Sequence, residues 1–351
     1  MGRRSTKQKG TTAEEQPIDR PKNVEKRTDH RLWVVFRRSA ARQHYEGITL
    51  IRGGWDMPLS TIITTLLSRL AGHLHLVRWS QLMTQNDVVF IGSMPEFYDR
   101  HLGALFFQPY ADDLADRLSN FTAGKLLETA AGTGIVTETL ARRLPSSVQI
   151  VATDLNQPML DHAKTKPGVE RVTYQQADAL ALPFPDGGFD VLVCQFGVMF
   201  FPDRQQGFRE ARRVLKPGGR MLFSVWDRID RVPPSHAVVA GLQRRYPAHP
   251  SWFLERTPSG YHDPDIIRED LRAAGFNHCR IDTVVRTGRA ASPRGVALGL
   301  CQGSPLRSEI EALDPTGLEA ATDAAAAMVA ERCGDGAFET SLQALVVETT
   351  R

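Results

Sequence analysis

Short apolar runs alternate with amphipathic segments from about residue 110 onward. Five runs have the length and flanking turn residues of buried strands, namely residues 125–131, 148–154, 172–178, 189–201 and 220–226. Apolar residues recur at helical spacing in residues 111–121, 135–144, 157–166 and 204–215. Strands that alternate with helices predict an α/β fold, in which helices cover both faces of a parallel sheet.

The C-terminal part continues this alternation less regularly. Residues 263–276 predict another helix, residues 278–288 another strand, and the alanine-rich residues 314–334 a final helix. Residues 227–262 contain several prolines and aromatic residues without a clear period. We therefore interpret them as an irregular insert that shapes a binding pocket.

The N-terminal quarter differs in character from the rest of the chain. Residues 1–82 contain 15 Lys and Arg against 7 Asp and Glu, and they begin with a polar stretch that lacks a hydrophobic period. Two interpretations stay open: a basic, disordered tail with an amphipathic helix, or an untranslated upstream extension with the native start near Met83. We expect lid helices over residues 83–122 and the main domain over residues 123–351.

Composition narrows the class of protein and of ligand. Hydrophobic residues make up 42% and charged residues 24% of the chain, as in ordinary globular proteins. Beyond residue 82, 28 basic residues stand against 33 acidic ones, which argues against a nucleic-acid partner. No apolar run is long and uninterrupted enough to predict a membrane span. The four scattered cysteines form no zinc-binding or disulfide pattern, which favours a cytoplasmic protein without a metal.

A glycine-rich turn separates the first predicted strand from the next helix, in the sequence KLLETAAGTGIV. Gly132 and Gly134 lack a Cβ, so a ligand can approach the backbone, and the helix N-terminus favours an anionic group. The dinucleotide-binding pattern G-x-G-x-x-G fails because its third glycine is replaced by Thr137. Asp154, at the end of the second strand, suits two ribose hydroxyls in either kind of site. Alone, the glycines are also compatible with a simple turn.

Four segments taken together are more specific than this turn. They are LLETAAGTG, VATDLNQPML, QQADALALPFPDGGFDVLVCQFGVMFFPD and REARRVLKPGGRMLFSVWD. In order and spacing they resemble the class I S-adenosylmethionine-dependent methyltransferases, in particular the small-molecule group that includes the ubiquinone and menaquinone C-methyltransferases. The resemblance is strong over residues 98–227 and only general in the C-terminal third. It implies a Rossmann-like, doubly wound, mostly parallel seven-stranded sheet, and S-adenosylmethionine as the cofactor.

The resemblance also implies which residues contact the two ends of the methionine part of the cofactor. Gln195 and Phe196, at the end of the fourth strand, would face the sulfonium and its methyl group. Tyr98 would close over the cofactor from the lid. The residues that would line the methionine itself are Glu128, Ala130, Gly132 and Gly134.

The adenosine part of the cofactor has its own implied contacts. Asp154 would accept hydrogen bonds from both ribose hydroxyls, and the adenine would lie between Leu155 and Met159. Asp178 would accept a hydrogen bond from the adenine amino group, with the backbone amide of Ala179 facing the ring.

The reaction that the resemblance implies is methyl transfer to a small molecule. The fourth strand ends in CQFGVMFF instead of the Asn/Asp-Pro-Pro-Tyr/Phe found in many members that methylate amino groups, which favours an oxygen or carbon acceptor. The sequence identifies no catalytic residue, although His101, His236 and His262 are candidates for a general base. Two alternatives stay open: a nicotinamide-dependent oxidoreductase, and a non-catalytic module that binds S-adenosylmethionine.

Overall fold

The protein is described by a computed structural model that covers Trp33–Arg38, Tyr45–Ile51 and residues 94–351. The first two segments are strands β1 and β2, which pair with each other antiparallel. The rest of residues 1–82 lies outside the described residues, as does the position near Met83 considered as a native start. Both interpretations of the N-terminal quarter concern this part of the chain. No helix of the described part is both long enough and apolar enough to cross a membrane.

Residues 94–351 form a sheet with helices between its strands. The strands are β3 (Gly124–Glu128), β4 (Val148–Asp154), β5 (Thr173–Gln176), β6 (Phe189–Gln195), β7 (Leu215–Trp226), β8 (Cys279–Ala290) and β9 (Phe338–Thr350). The helices of this region are α1 (Met94–Leu102), α2 (Gln108–Arg117), α3 (Ile135–Arg143), α4 (Gln157–Ala163), α5 (Arg204–Val214), α6 (Pro233–Arg245), α7 (Phe253–Arg256), α8 (Pro264–Ala273), α9 (Pro293–Gln302), α10 (Leu306–Leu313) and α11 (Leu318–Cys333). A π-helical turn, Gly103–Phe107, joins α1 to α2.

The seven strands of this sheet follow the order β5-β4-β3-β6-β7-β9-β8. β3 pairs in parallel with both β4 and β6, so the chain adds strands first to one side of β3 and then to the other. Right-handed crossovers therefore place α3 and α4 on one face of the sheet and α5 on the opposite face. β9 pairs antiparallel with β7 and β8. The predicted doubly wound, mostly parallel seven-stranded fold is confirmed.

The central strands are buried because helices cover both faces of the sheet. Leu127 of β3, Val193 of β6 and Phe223 of β7 are fully buried. Parallel strands with two covered faces are apolar almost throughout, which is why short apolar runs predicted them. Three predicted strands were too long. β3 ends at Glu128 and β5 at Gln176, and β6 ends at Gln195 because the chain then turns into a short 3₁₀ helix.

The segment interpreted as an irregular insert, residues 227–262, is largely helical, so that interpretation was wrong for Pro233–Arg245. The two prolines that suggested a break occupy the first turn of α6, where the missing N–H costs no helical hydrogen bond. α6 packs closely against α11, since a Cβ on Gly241 would lie 2.6 Å from the carbonyl oxygen of Ala324. The sequence analysis also made no prediction for β9.

The chain turns sharply after β3 and after β6, which are neighbours in the sheet. Ala130 and Phe196 adopt φ angles of +52° and +51°, a left-handed conformation that L-residues with side chains rarely occupy. The two turns pack tightly, because a Cβ on Gly197 would lie 2.5 Å from Cβ of Ala130 and 2.8 Å from Sγ of Cys194. Gly197 therefore makes room for the methyl group of Ala130.

We expect Gly197→Ala to lower the free energy of unfolding by about 1–3 kcal/mol, because the new methyl group would overlap Ala130 and Cys194. Adding Ala130→Gly should restore part of this loss, since it removes the closer overlap. Gly336→Ala is the matched control, because nothing lies within 4 Å of that position. Urea unfolding measures the variants, and a Gly197→Ala protein as stable as the control would contradict the close packing of the turns.

Candidate functional site

A crevice opens at the carboxyl ends of β3 and β6, and we define it by residues 128–134, 154–155 and 195–197. The strand order reverses here, which is where open α/β sheets bind ligands. Gly132 has a φ of +54°, and nothing lies within 4 Å of the position of its missing Cβ, so its backbone borders open space. Gly134 instead packs against α4, where an added Cβ would lie 2.7 Å from Cβ of Ala163. Of the two glycines, Gly132 leaves room for a ligand and Gly134 permits helix packing.

Two carboxylates lie buried beside this loop. Glu128 is 2% exposed and Asp154 is 7% exposed. Oε2 of Glu128 accepts a hydrogen bond of 2.6 Å from Oγ1 of Thr137. Burial raises the pKa of Glu128 to about 8, with a further contribution from the charge of Asp154, while the bond from Thr137 acts in the opposite direction. Neither carboxylate forms an ion pair with another described residue.

Asp154 fixes the shape of the loop as well as ending β4. Its Oδ2 accepts a hydrogen bond of 2.9 Å from the Gly132 amide, and its Oδ1 accepts one of 2.8 Å from the Asn156 amide. Burial raises the pKa of Asp154, whereas these bonds act to lower it. Nδ2 of Asn156 also donates to Oδ1, at 3.5 Å. Because a carboxylate has about four lone-pair sites, Asp154 retains capacity for a further donor such as a ribose hydroxyl.

The positions predicted to contact adenosine lie at the same edge of the sheet. Leu155 follows β4 and is 47% exposed, which is unusual for a large apolar side chain. Asp178 and Ala179 lie just beyond β5, which pairs in parallel with β4. Asp178 is exposed and holds its turn by accepting a hydrogen bond from the amide of Leu180. Met159 is buried in α4.

The β6 side of the crevice combines an unsatisfied polar atom with a rigid aromatic wall. Nε2 of Gln195 donates a hydrogen bond of 3.1 Å to the carbonyl oxygen of Phe107, whereas its buried Oε1 has no partner among the described residues. A buried acceptor without a partner indicates a place for a ligand donor. The ring of Phe196 stacks on Trp226 with centroids 3.8 Å apart and planes within 5°.

Helix α1 is tied to the crevice loop by one aspartate. Asp99 accepts hydrogen bonds from Oγ1 of Thr133 at 2.9 Å and from Nζ of Lys166 at 2.9 and 3.0 Å. The neighbouring Tyr98 stacks on Phe107, with ring centroids 4.8 Å apart. Burial raises the pKa of the Tyr98 hydroxyl, and the charges of Asp154 and Asp99 add to this effect. α1 therefore brings Tyr98 into the electrostatic environment of the crevice.

An apolar cavity adjoins the crevice, and we call it the aromatic cavity. It contains about 570 Å³ of empty space, part of it open to solvent. Seven of its lining residues are aromatic and none is charged. Phe196 belongs to this lining, so the cavity and the crevice share that residue, and Tyr98 of α1 lines the cavity beside it. The complete lining is Tyr98, Leu102, Phe106, Phe107, Phe196, Met199, Phe200, Trp226, Val232, Ser235, Phe253, Leu254, Pro258, Ser259, Leu300, Ser304 and Pro305.

None of the three histidines considered as general bases lines this cavity. His262 has Nδ1 2.8 Å from the carbonyl oxygen of Ser259, and His101 lies against α9. The sequence analysis overlooked three residues, namely Asp99, its partner Lys166, and Trp226. Trp226 ends the fifth predicted strand, and that position was a usable signal. The pairing of Asp99 with Lys166 links residues far apart in sequence, and no local pattern indicates it.

This geometry suits two different ligands at once. The crevice offers buried negative charge, a bare backbone and hydrogen-bond acceptors for a ribose, as a positively charged nucleoside requires. The aromatic cavity offers apolar surface without charge. S-adenosylmethionine fits the crevice on these grounds, because it combines a sulfonium with an adenosine.

Comparison with known proteins identifies a family and several similar proteins. Residues 127–223 match the family described as Methyltransferase domain. A demethylmenaquinone methyltransferase of Deinococcus radiodurans is 32% identical over 43% of this chain and 67% of that protein. The ubiquinone/menaquinone biosynthesis C-methyltransferase UbiE of Idiomarina loihiensis is 40% identical over 47% of this chain and 70% of that protein. For UbiE of Geobacter sulfurreducens, 43% identity covers 28% of this chain and 41% of that protein.

The matched region contains the crevice. Residues 127–223 run from β3 into β7 and include Glu128, Asp154 and Gln195. The relatives, the sheet order and the crevice agree with one another. The chain therefore belongs to the class I S-adenosylmethionine-dependent methyltransferases, and S-adenosylmethionine is its cofactor.

Proposed function

We propose that this enzyme methylates a ring carbon of an uncharged aromatic small molecule that carries hydroxyl groups, as a quinol does. The observation that carries this proposal is the aromatic cavity, which shares Phe196 with the crevice and has no charged lining residue. The names of the relatives, which refer to menaquinone and ubiquinone biosynthesis, support the same class of acceptor. Methylation of an oxygen atom is the alternative that the experiment below separates.

We infer that the methionine part of the cofactor lies along the loop after β3 and against the end of β6. The open space at Gly132 and the buried carboxylate of Glu128 support this placement, since the carboxylate would face positive charge. The unsatisfied Oε1 of Gln195 supports it from the other side. The proposed contacts are Tyr98, Glu128, Ala130, Gly132, Gly134, Gln195 and Phe196.

The adenosine would extend from Asp154 toward β5. The remaining acceptor capacity of Asp154 suits a ribose hydroxyl, and the exposed face of Leu155 suits the adenine ring. Asp178 would accept a hydrogen bond from the adenine amino group, and the backbone amide of Ala179 would face the ring. Met159 lies in the core, so its proposed contact is limited to the surface it adds beneath the ring.

S-adenosylmethionine supplies a methyl group that is already activated by a positively charged sulfur. The residues of this chain align the acceptor and exclude water, and such positioning can lower a barrier by roughly 7–11 kcal/mol. The face of Phe196 attracts a cationic group, and Trp226 holds that ring in place. Burial raises the pKa of Tyr98, so its hydroxyl stays protonated near neutral pH. The acceptor's own ring hydroxyl would make the carbon nucleophilic. The sulfur–methyl bond would break as the carbon–methyl bond forms, and the ring carbon would then lose its proton to solvent.

We also propose that α1 and α2, within residues 83–122, form a lid on the main domain of residues 123–351. The bonds of Asp99 to the crevice loop support this division. All four cysteines are free thiols, which supports a cytoplasmic location. The proposal includes neither a nucleic-acid partner nor insertion into a membrane.

The proposed activity predicts that 1,4-dihydroxynaphthalene and methyl-labelled S-adenosylmethionine yield a product labelled on a ring carbon. Mass spectrometry with fragmentation distinguishes this product from a methyl ether, which would indicate the oxygen alternative. The matched control substrate is 1,4-dihydroxy-2-naphthoate, which should react at least tenfold more slowly because the cavity has no cation for its carboxylate. Binding of S-adenosylmethionine without transfer to any hydroxyaromatic acceptor would contradict the proposal and favour a non-catalytic module, whereas binding of NAD in its place would favour an oxidoreductase.

The raised pKa of Glu128 predicts that binding of the cofactor releases a proton. Its pKa of about 8 leaves it mostly protonated at pH 7, and a cationic cofactor favours its ionised form. We expect wild-type protein to release close to one proton, seen as binding heats that differ between phosphate and Tris buffers, and Glu128→Gln to release much less. Between pH 4.5, the ordinary pKa of a glutamate, and about pH 8, Glu128 keeps its proton in the folded protein and loses it in the unfolded chain. The free energy of unfolding should therefore fall as pH rises through this window. In the binding experiment, equal heats in phosphate and Tris would contradict the protonation of Glu128 before the cofactor binds.

The proposed role of Asp178 predicts a change in base selectivity. Asp178→Ala should weaken binding of S-adenosylhomocysteine by about 1–2 kcal/mol, or 5–30-fold. Binding of the inosine analogue, which lacks the amino group, should change much less. Asp161→Ala on the exposed side of α4 is the matched control and should change neither affinity. Equal losses for both ligands in calorimetric titrations would argue that Asp178 shapes the turn and does not read the base.

A further inference from the structure

Three serine hydroxyls interrupt the otherwise carbon-rich lining of the aromatic cavity. They belong to Ser235 in the first turn of α6, Ser259 in the turn after α7, and Ser304 between α9 and α10. A hydroxyl that is removed from water without a hydrogen bond costs free energy, so its partner in the protein or in a ligand is informative.

Ser304 has partners within the protein. Its Oγ donates a hydrogen bond of 2.6 Å to the carbonyl oxygen of Leu300 and accepts one of 3.2 Å from the amide of Leu306. These bonds satisfy the end of α9 and the start of α10. The hydroxyl of Ser304 is therefore committed to the fold.

Ser235 and Ser259 differ from Ser304 in this respect. They are 9% and 6% exposed, respectively, and within the described part of the chain neither hydroxyl forms a hydrogen bond. The backbone of Ser259 is held, because its amide donates to Leu254 and its carbonyl oxygen lies 2.8 Å from Nδ1 of His262. The cavity thus presents two hydroxyl groups on largely buried serines, and both are accessible to a ligand and have no partner within the described part of the chain.

Both hydroxyls are carried by elements that the structure holds firmly. α6 packs backbone to backbone against α11 at Gly241. α7 is tied to α10 by Glu309, which accepts hydrogen bonds of 2.8 Å from the Phe253 amide and 2.6 Å from Nη1 of Arg256. Groups on supported elements keep the positions that selective binding requires.

We propose that Ser235 and Ser259 determine acceptor specificity by hydrogen bonding to oxygen substituents of the aromatic molecule in the cavity. This inference rests on the proposed function. A hydroxyl both donates and accepts, so the pair can bind a phenol or a ring carbonyl of the same molecule. Because no charged residue lines the cavity, the ligand class is an uncharged aromatic with oxygen substituents, as opposed to a plain hydrocarbon or a carboxylate.

The test compares 1-naphthol with naphthalene, two probes that differ by one hydroxyl group. Calorimetric titration of the full chain without cofactor should give a several-fold tighter Kd for 1-naphthol. Ser235→Ala, Ser259→Ala or both should reduce this preference by about 3–10-fold, the size of one neutral hydrogen bond, with naphthalene affinity unchanged. Ser304→Ala, in the same cavity but with a satisfied hydroxyl, is the matched control and should keep the preference.

Two outcomes would overturn the inference. One is a preference that is unchanged in Ser235→Ala, Ser259→Ala and the double variant. The other is an equal loss of both probes, which would mean that the serines only maintain the shape of the cavity. A separate titration with S-adenosylmethionine keeps the two proposals distinct. Cofactor binding and methyl transfer with no serine effect would reject only the specificity role, while a serine effect without methyl transfer would reject only the proposed activity.

Discussion

Two buried carboxylates that lack a cationic partner among the described residues govern the crevice. Taking Glu128 and Asp154 out of water is unfavourable, and the raised pKa of each side chain reflects that cost. Asp154 nevertheless holds the Gly132 amide and so keeps the loop after β3 in place. A ligand that brings positive charge and two hydroxyls would satisfy both carboxylates. Under the proposed placement, part of the cofactor affinity would come from relieving this unfavourable burial.

The same constraint extends to the acceptor side through the turn after β6. Phe196 is held in a left-handed conformation, which the close packing of Gly197 on Ala130 maintains. That conformation directs the ring onto Trp226, and the stacked pair forms a wall common to the crevice and the aromatic cavity. Phe196 thus lies at the boundary between the crevice and the aromatic cavity, the two proposed binding sites.

Much of the fold and most of the crevice follow from local sequence. The run from β3 through α3 to β4 places a bare loop between an apolar strand and a helix, and Asp154 ends the next strand, so their meeting at one sheet edge can be predicted. The aromatic cavity could not be predicted, because its lining comes from segments between Tyr98 and Pro305 that share no local pattern. α6 was hidden by its N-terminal prolines, and the bond from Lys166 to Asp99 spans 67 positions.

The attachment of α1 affects how the cofactor and the product would enter and leave the enzyme. This helix contributes Tyr98 and Leu102 to the wall of the cavity, while Asp99 anchors it to Thr133 and Lys166 beside the crevice. An outward movement of α1 would break the hydrogen bonds of Asp99, and it would open the crevice and the aromatic cavity together. Entry of S-adenosylmethionine and departure of the methylated product would therefore require the same movement of α1. The Asp99–Lys166 ion pair, whose side chains are 23% and 13% exposed, would resist that movement with little sensitivity to ionic strength.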